Sequence, residues 1–170
     1  MKQSKGFTLI EVIVVVAIIA ALAAVAIPGY INWLPNYRLN AAASDLFSHM
    51  QKAKLEAVRR RIDIGITFTT VSSPATGGSY LAFVDDGSGI GGIKGNAVQD
   101  GSEATLFQVV MPASCSLENA SFSSSSHTGY NAKGLPLGNR TGHVELHNNR
   151  AAKYYKMSLS NAGYARMAKE

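Results

Sequence analysis

The chain has 170 residues, a length that accommodates one modest globular domain besides a separate N-terminal hydrophobic segment. Its formal net charge of +5 is a mild excess, without the dense basic runs that are typical of nucleic-acid-binding proteins. The single cysteine, Cys115, excludes an intramolecular disulfide and a thiolate zinc cluster. We expect this cysteine to be a small, buried, apolar residue.

Residues 7–27 form an almost wholly apolar run of 21 positions. As a helix the run is about 31 Å long, which is enough to cross the hydrocarbon core of a bilayer. Lys2 and Lys5 precede the run, and the next basic residue is Arg38. Because cytoplasmic flanks are enriched in basic residues, we expect the N-terminus in the cytoplasm and the chain after Pro28 outside it.

An acidic residue, Glu11, interrupts this run near its start. An ionised carboxylate costs about 2.5–3.5 kcal/mol near the centre of a membrane helix and less near an end. Glu11 therefore either reaches the interface or pairs with a cation, such as the α-amino group that cleavage after Gly6 exposes on Phe7. We favour the amino group of a neighbouring subunit, because Phe7 and Glu11 of one chain share one short helical stretch. Such a pair would set the register of packed helices.

A second helical pattern covers residues 36–61, after two prolines, Pro28 and Pro35, that break or kink a helix. Its apolar residues recur at alternating steps of four and three and form one stripe, which consists of Leu39, Ala43, Leu46, Met50, Ala53 and Ala57. We expect this stripe to pack against the β-domain of the same chain. The pattern ends in three arginines, which suit the negative end of a helix dipole.

Beyond residue 61 the apolar period changes from helical to two, and residues 62–68 read as a half-buried strand. Shorter strands are predicted at residues 80–84, 106–110, 144–146 and 155–159. The Gly- and Ser-rich stretches between them, including residues 121–129, are predicted to be loops. The fold class is therefore α+β: a long N-terminal helix, with a membrane half and an amphipathic half, packed on a C-terminal antiparallel β-domain.

Residues 6–11, GFTLIE, together with the aliphatic run and Pro28, resemble the class III signal of type IV pilins and type II secretion pseudopilins. The resemblance implies that a prepilin peptidase cuts between Gly6 and Phe7 and methylates Phe7. It also implies roles in filament assembly for Glu11 and Pro28. Leader removal leaves 14 basic and 11 acidic residues, a net charge of +3.

The implied organisation has four parts. They are a cleaved leader at 1–6, a transmembrane and filament-core helix at 7–27, a hinge and amphipathic helix at 28–61, and a globular β-domain at 62–170. An alternative is cleavage by a conventional signal peptidase after Ala24-Val25-Ala26, which would make Ile27 the mature N-terminus. Against this alternative, the apolar run exceeds the usual 7–15 residues of a signal peptide and contains Glu11.

Motifs in the rest of the chain resemble the H-type pseudopilin and FimT/FimU minor-pilin family. They are QKAKLEAVRR at 51–60, DDGSG at 85–89, GLP at 134–136, HVEL at 143–146 and MSLSNAG at 157–163. The resemblance implies a minor pilin or pseudopilin, a structural subunit of a type II secretion pseudopilus or a type IV pilus. It implies no enzymatic activity and no cofactor. An abundant, major pilin is an alternative.

The same resemblance implies a location and a set of partners. The chain is expected to cross the bacterial inner membrane once, with its C-terminal domain in the periplasm, and then to enter a pilus or pseudopilus. The implied partners are prepilin peptidase, other pilins or pseudopilins, an inner-membrane assembly platform and, before assembly, membrane lipid.

DNA uptake is a further alternative. Many FimT-like proteins carry a Gly-Arg-x-Arg ending that is associated with DNA binding, and the corresponding residues here are 163–166. Tyr164 stands where the first arginine of that ending would be. The candidate contacts to phosphate groups are Arg166, Arg140, Lys133 and Arg150.

Metal-binding and catalytic motifs give little further signal. Asp85, Asp86 and Asp100 carry oxygen atoms that suit calcium, as some pseudopilins hold calcium in such loops, but their spacing does not match an EF-hand. Asp and Gly also simply form turns. His143 and His147 would lie about 13 Å apart along a strand, too far for one metal. Zinc-protease, hydrolase and nucleotide-binding motifs do not occur in the sequence.

Overall fold

The computed structural model describes residues 7–72, 75–148 and 151–170, and it describes the backbone alone at residues 151–153. The chain divides into an N-terminal unit, Met1–Leu34, and a C-terminal unit, Pro35–Glu170. In the described part of the N-terminal unit, helix begins at Leu9 and continues to the end of the unit. The C-terminal unit contains the remainder of that helix and the β-strands.

Helix α1, Leu9–Arg60, has 52 residues and includes both Pro28 and Pro35. A proline inside a helix removes one N–H donor, so the carbonyl four residues earlier loses its usual bond. The backbone nevertheless stays helical through the region where the sequence predicts a break or a kink. The prolines are therefore weak points within one helix and not its ends.

The C-terminal end of α1 is closed by Arg61, which adopts a left-handed conformation with φ 55°. The N–H of Ile62 donates to the carbonyl oxygen of Ala57 over 3.2 Å, the longer bond of a Schellman motif. Glu56 accepts hydrogen bonds of 2.6–2.9 Å from the two arginines that precede Arg61. The helix therefore ends one residue before the predicted limit.

Eight strands follow within the described residues, and all their pairings are antiparallel. They are β1 Ile64–Thr69, β2 Ser79–Val84, β3 Thr105–Val110, β4 Cys115–Phe122, β5 His127–Tyr130, β6 Gly142–Asn148, β7 Ala151–Leu159 and β8 Ala165–Lys169. Sheet A has the order β3-β2-β1-β5, and sheet B has the order β4-β6-β7-β8. The predicted fold class, one long helix with antiparallel sheets, is confirmed.

The five predicted strands overlap β1, β2, β3, β6 and β7, whereas β4, β5 and β8 are missing from the prediction. The predicted loop at 121–129 is wrong at both ends, because β4 ends at Phe122 and β5 begins at His127. β5 is short and contains Gly129, a residue that is unfavourable in strands. Glycine is required there, since an added Cβ would lie 2.3 Å from the carbonyl oxygen of Ile64 in β1.

The core of the C-terminal unit lies between the stripe of α1 and the two sheets. The predicted stripe is buried throughout, and its residues Leu46, Ala53 and Ala57 have no exposed surface. Phe68 of sheet A stacks on Phe122 of sheet B, with ring centroids 5.2 Å apart. Cys115 is fully buried in the same core, as the sequence predicts.

Leu46→Ala should lower the free energy of unfolding by roughly 2–5 kcal/mol, because truncating a buried leucine leaves a cavity. Leu55 is a matched control on the same helix, since its side chain is 69% exposed. Leu55→Ala should change the free energy by no more than about 0.5 kcal/mol. Denaturant titration of the full chain in detergent, followed by near-ultraviolet circular dichroism of the buried tyrosines, measures both. Equal losses for the two variants would contradict this packing.

Candidate assembly site and charged surfaces

The N-terminus of α1 is capped by the hydroxyl of Thr8. The N–H of Glu11 donates to Thr8 Oγ1 over 3.3 Å, and the two residues have the Thr-x-x-Glu spacing of a capping box. Phe7 precedes the cap and is 84% exposed, whereas Gly6 lies outside the described residues. The bond uses only the backbone N–H of Glu11, so the cap does not engage its carboxylate.

Phe7 and Glu11 share one face of the N-terminal unit with Val12, Val15 and Val16. These five residues line a shallow groove of ≈ 250 Å³ whose surface is apolar. Glu11 is exposed and lines this groove with its apolar atoms. Glu11 is thus the one charged residue in an otherwise apolar set of groove residues.

The N-terminal unit exposes its large apolar side chains. The most apolar 18-residue window of α1 has a mean hydropathy of 3.0, and none of it is buried. By length and composition this helix is able to cross a membrane. Pro28 lies in the same unit, and next to it an added Cβ on Gly29 would meet no atom within 4 Å. Lipid or other helices are the surroundings that such a surface needs.

The candidate DNA contacts lie on separate elements of the C-terminal unit. Arg166 is on β8 opposite Ser158, and Lys133 is exposed in the turn after β5. The guanidinium group of Arg140 donates a hydrogen bond to the carbonyl oxygen of Asn96. Arg150 lies outside the described residues. The structure thus shows no contact that brings the three described cations together.

Tyr164, at the position of the family arginine, is bound to helix α1. The ammonium group of Lys54 lies 4.8 Å from the centroid of the Tyr164 ring and donates to the carbonyl oxygen of Gly163 over 2.9 Å. An arginine at position 164 would place a second cation against Lys54. The aromatic ring is instead attracted to the ammonium group. This attraction explains why tyrosine is compatible with Lys54 at this position.

The carboxylates proposed for calcium shape the loop at residues 85–103. Asp85 is buried and accepts N–H bonds from Gly95 and Ala97 over 2.5 and 2.7 Å, and Asp86 accepts one from Ser88 over 3.0 Å. Burial raises the pKa of Asp85, although these N–H bonds oppose the shift. The hydroxyl and N–H of Ser88 hold the pKa of Asp86 below its ordinary value.

Asp100 completes this arrangement, because it accepts the N–H of Ile93 over 3.1 Å and the side-chain amide of Asn96 over 2.7 Å. In the parts of the chain that the structure describes, no group of three or more His, Cys, Asp or Glu side chains is placed to hold a metal ion. Within this loop the acids accept backbone and side-chain N–H bonds, as turn-forming residues do.

A cluster centred on Glu145 is absent from the sequence-based candidates. Glu145 accepts a hydrogen bond from Asn119 over 2.6 Å, and His143, His147 and Lys156 lie 3.8, 3.4 and 3.7 Å from its oxygens. Burial opposes ionisation of Glu145, but the hydrogen bonds and nearby cations outweigh it and hold its pKa below the ordinary value. Because side chains alternate along β6, both histidines lie on the same face as Glu145. Asn119 and Lys156 are brought to this face by the pairing of β6 with β4 and β7.

His49 joins the helix to sheet A. Its Nδ1 lies 2.7 Å from the hydroxyl of Tyr80, and its ring stacks on Phe107 with centroids 4.8 Å apart. Burial lowers the pKa of His49; the charge of Asp45 opposes the shift and that of Lys52 adds to it. The pKa of Tyr80 is raised, chiefly by burial, so its hydroxyl stays protonated and able to donate to neutral His49.

Two family models match the chain. Residues 1–27 match the prokaryotic N-terminal methylation motif, and residues 42–163 match Type II transport protein GspH. The chain belongs to the GspH family. The match includes α1 from residue 42 onward and all strands from β1 to β7. A comparison with curated protein sequences gave no match.

Solved structures share the fold of this GspH-family chain. The type IV minor pilin FimU of Pseudomonas aeruginosa has a TM-score of 0.54 at 20% sequence identity, over 78% of this chain and 90% of that chain. The minor pseudopilin EpsH from the Type 2 Secretion System of Vibrio cholerae has a TM-score of 0.50 at 11% identity, over 77% of this chain and 96% of that chain. At such identities the likeness concerns the fold alone.

These findings confirm the predicted place of the chain in the type IV pilin-like superfamily and its H-type assignment. The family supports a minor pilin or pseudopilin, a structural subunit with an apolar N-terminal helix. It does not favour an abundant pilin or a DNA-binding role.

The lowered pKa of His49 predicts a loss of stability in acid. The unfolded chain takes up a proton as the pH falls through about 6.5, while folded His49 resists protonation until a lower pH. This contribution to stability is therefore complete above about pH 6.5 and declines below it. His49→Asn keeps a polar group near Tyr80 but cannot titrate. Urea titrations at pH 7 and pH 5 should show a smaller loss of stability for this variant than for the unmodified chain.

The control for this prediction is Ser48→Ala, which changes an exposed neighbour on the same helix and should leave the pH dependence unchanged. An identical acid-induced loss in the His49→Asn variant and the unmodified chain would contradict the assignment.

Proposed function

We propose that the chain is a minor subunit of a type II secretion pseudopilus or a type IV pilus, held in the membrane by its N-terminal helix until it is assembled. The observation that carries the proposal is the match to the N-terminal methylation motif on a helix whose apolar surface is uncovered. The GspH match over the C-terminal unit supports the same role, which is structural and not catalytic.

In this proposal a prepilin peptidase cuts between Gly6 and Phe7 and methylates the new amino group. Cleavage places that amino group one residue before the Thr8 cap. A cation at this point faces the positive end of the helix dipole, which is unfavourable. The mature N-terminus therefore calls for a carboxylate beside it.

Glu11 of a neighbouring subunit supplies that carboxylate. Glu11 borders an apolar groove, and its unpaired charge would cost up to about 2.5–3.5 kcal/mol once lipid or helices covered this surface. Pairing with the amino group of a neighbouring Phe7 removes two unpaired charges and sets the stagger of the helices. The N–H of Glu11 remains bonded to Thr8, so the pairing leaves the cap intact.

Pro28 lets the helix adapt when the subunit leaves the membrane for the filament. Its missing N–H already frees the carbonyl of Ala24 from a helical bond, so bending or unwinding at this point costs less than elsewhere. Lys2 and Lys5 favour a cytoplasmic N-terminus and a periplasmic C-terminal unit. The expected partners are prepilin peptidase, other pilins, the inner-membrane assembly platform and membrane lipid.

We do not propose a DNA-binding role. Lys54 holds Tyr164, and Arg140 is bound to a backbone carbonyl oxygen. A basic surface assembled from Arg166, Arg140 and Lys133 would require these separate elements to act together.

Mass spectrometry of the mature N-terminal peptide tests the processing step. The expected peptide begins with N-methylated Phe7, because cleavage follows Gly6. A peptide that begins with Ile27 would contradict the proposal, since conventional signal-peptidase cleavage would remove the helix that anchors the subunit.

Glu11→Ala tests the charge pair. The variant should still be processed and inserted, but its amount in sheared filaments should fall at least about tenfold, the ratio that corresponds to about 1.4 kcal/mol. Immunoblots of the sheared and membrane fractions measure the ratio. Val15→Ala, in the same groove, is the control and should assemble nearly normally. Normal incorporation of the Glu11→Ala variant would overturn the pairing.

A further inference from the structure

The described strands give sheets A and B four edges in all, and three of these edges are protected. The edge of β4 is covered by the segment before β2, where the N–H of Val71 donates to the carbonyl oxygen of Leu117 over 3.0 Å. β5 has only four residues, and its end is bridged to Pro136. β8 carries two exposed cations, Arg166 and Lys169, and charge at an edge discourages pairing with another strand.

The fourth edge strand, β3, lacks these forms of protection. Its sequence, TLFQVV, contains no charged residue and no proline. On its inner side it pairs with β2, and just beyond the strand the N–H of Met111 donates to the carbonyl oxygen of Gly78 over 3.0 Å. Because the bonds of an antiparallel pair alternate along a strand, the N–H and C=O groups of Gln108 and Val110 point away from β2. Within the described residues nothing bonds to these groups, and both residues are exposed.

A recess lies beside this free edge, between β3 and the first turns of α1 in the C-terminal unit. It has a volume of ≈ 270 Å³, and its apolar lining includes Ala41 of the helix and Val109 of the strand. The guanidinium group of Arg38 is directed to the carbonyl oxygen of Ala113, over 3.4 Å. Asp45 also lines the recess, is exposed, and forms no ion pair with another described residue. The recess therefore offers space for an apolar side chain beside an unpaired carboxylate.

We propose that the free edge of β3 binds an extended segment of a different subunit of the same filament. The segment adds a fifth strand to sheet A through the outward N–H and C=O groups of Gln108 and Val110. One of its apolar side chains fills the recess, and a basic side chain two residues along, on the same face of the segment, pairs with Asp45. The inference rests on the proposed filament role and names the kind of partner that the C-terminal unit contacts.

The charges at the edge favour a different subunit over a second copy of this chain. If β3 paired with β3 of a second copy, Asp45 would gain no cation, because residues 105–110 contain no basic residue. A strand contact of six residues is weak between free molecules. Subunits of one filament are held beside each other by their N-terminal helices, which raises the effective concentration and makes a short contact sufficient.

Photo-cross-linking in cells that assemble the filament tests the contact. The photoreactive residue p-benzoyl-phenylalanine replaces Val110, which is 69% exposed, in the full-length chain. The expected result is a covalent adduct with a different filament subunit, identified by mass spectrometry of the sheared fraction. An adduct with a second copy, or with a protein that is not part of the filament, overturns the proposal. Absence of any adduct in filaments that contain the chain overturns it as well.

Proline at position 108 separates strand pairing from side-chain contact. Gln108→Pro removes one outward N–H but keeps the bonds to β2, because edge strands tolerate proline where the N–H faces solvent. The adduct at position 110 should fall about fivefold, the ratio expected for one net hydrogen bond, whereas Gln108→Ala retains the N–H and should leave the adduct unchanged. Equal adducts from these two variants would contradict strand addition. The urea midpoint of each purified variant in detergent shows whether the C-terminal unit is intact.

A cross-linker at Leu55 is the matched control for this dependence on proline. Leu55 is also 69% exposed, but it lies on α1 and outside the recess. Any adduct formed from position 55 should be the same with Gln108→Pro and with Gln108→Ala. A parallel loss at positions 55 and 110 would show that the proline disturbs the whole unit, and it would contradict a contact specific to β3.

Asp45→Lys tests the partner's charge without any change in β3. The adduct at position 110 should fall at least about threefold, since an exposed ion pair is replaced by repulsion, whereas Asp45→Glu should retain the adduct. Ser44→Lys is the control, because it adds a cation at an exposed neighbouring residue outside the recess. An adduct that is insensitive to Asp45→Lys would exclude the basic side chain of the proposed segment.

The amount of the unmodified chain in the sheared fraction is measured separately. Its absence from that fraction overturns the filament role, and the contact with it. Its presence, without an adduct at position 110 that depends on the N–H of Gln108, overturns the contact alone.

Discussion

Helix α1 is one continuous helix whose two halves need different surroundings for their apolar side chains. In the C-terminal unit its apolar stripe is covered by the sheets of the same chain, and residues such as Leu46 and Ala53 are fully buried. In the N-terminal unit the apolar side chains lack such cover. The packing of the C-terminal unit is therefore specified within the chain, whereas the surroundings of the N-terminal unit have to be supplied by lipid or by other subunits.

The polar groups of the helix follow the same division. In the C-terminal unit they reach strands and turns that are distant in sequence: Lys54 binds the carbonyl of Gly163, Asn40 accepts a bond from Tyr155, and His49 meets Tyr80. In the N-terminal unit the only acidic residue of the sequence is Glu11, which is exposed and borders an apolar groove. A single charge therefore distinguishes one position of this surface from the rest, whereas apolar contacts alone leave helix register loosely defined.

The sequence predicts the helix, its buried stripe and β1, because the spacing of apolar residues in a long segment indicates which face is buried. It does not predict β4 or β5, which are rich in small and polar residues and become strands only through their partners. The same limit applies to the sites. The acid in the apolar run is visible in the sequence, whereas the cluster around Glu145 depends on the register of three strands.

The strands that complete the fold are the last to be synthesised, and this order has a consequence for how the chain folds. The bond between Tyr155 and Asn40 spans 115 residues, and the one between Lys54 and Gly163 spans 109. Contacts between residues so far apart in sequence form slowly, and β-rich domains fold in milliseconds to seconds. During that interval the amphipathic half of α1 lacks the C-terminal strands that later cover part of it. That half is therefore exposed to aggregation until the C-terminal strands have folded onto it.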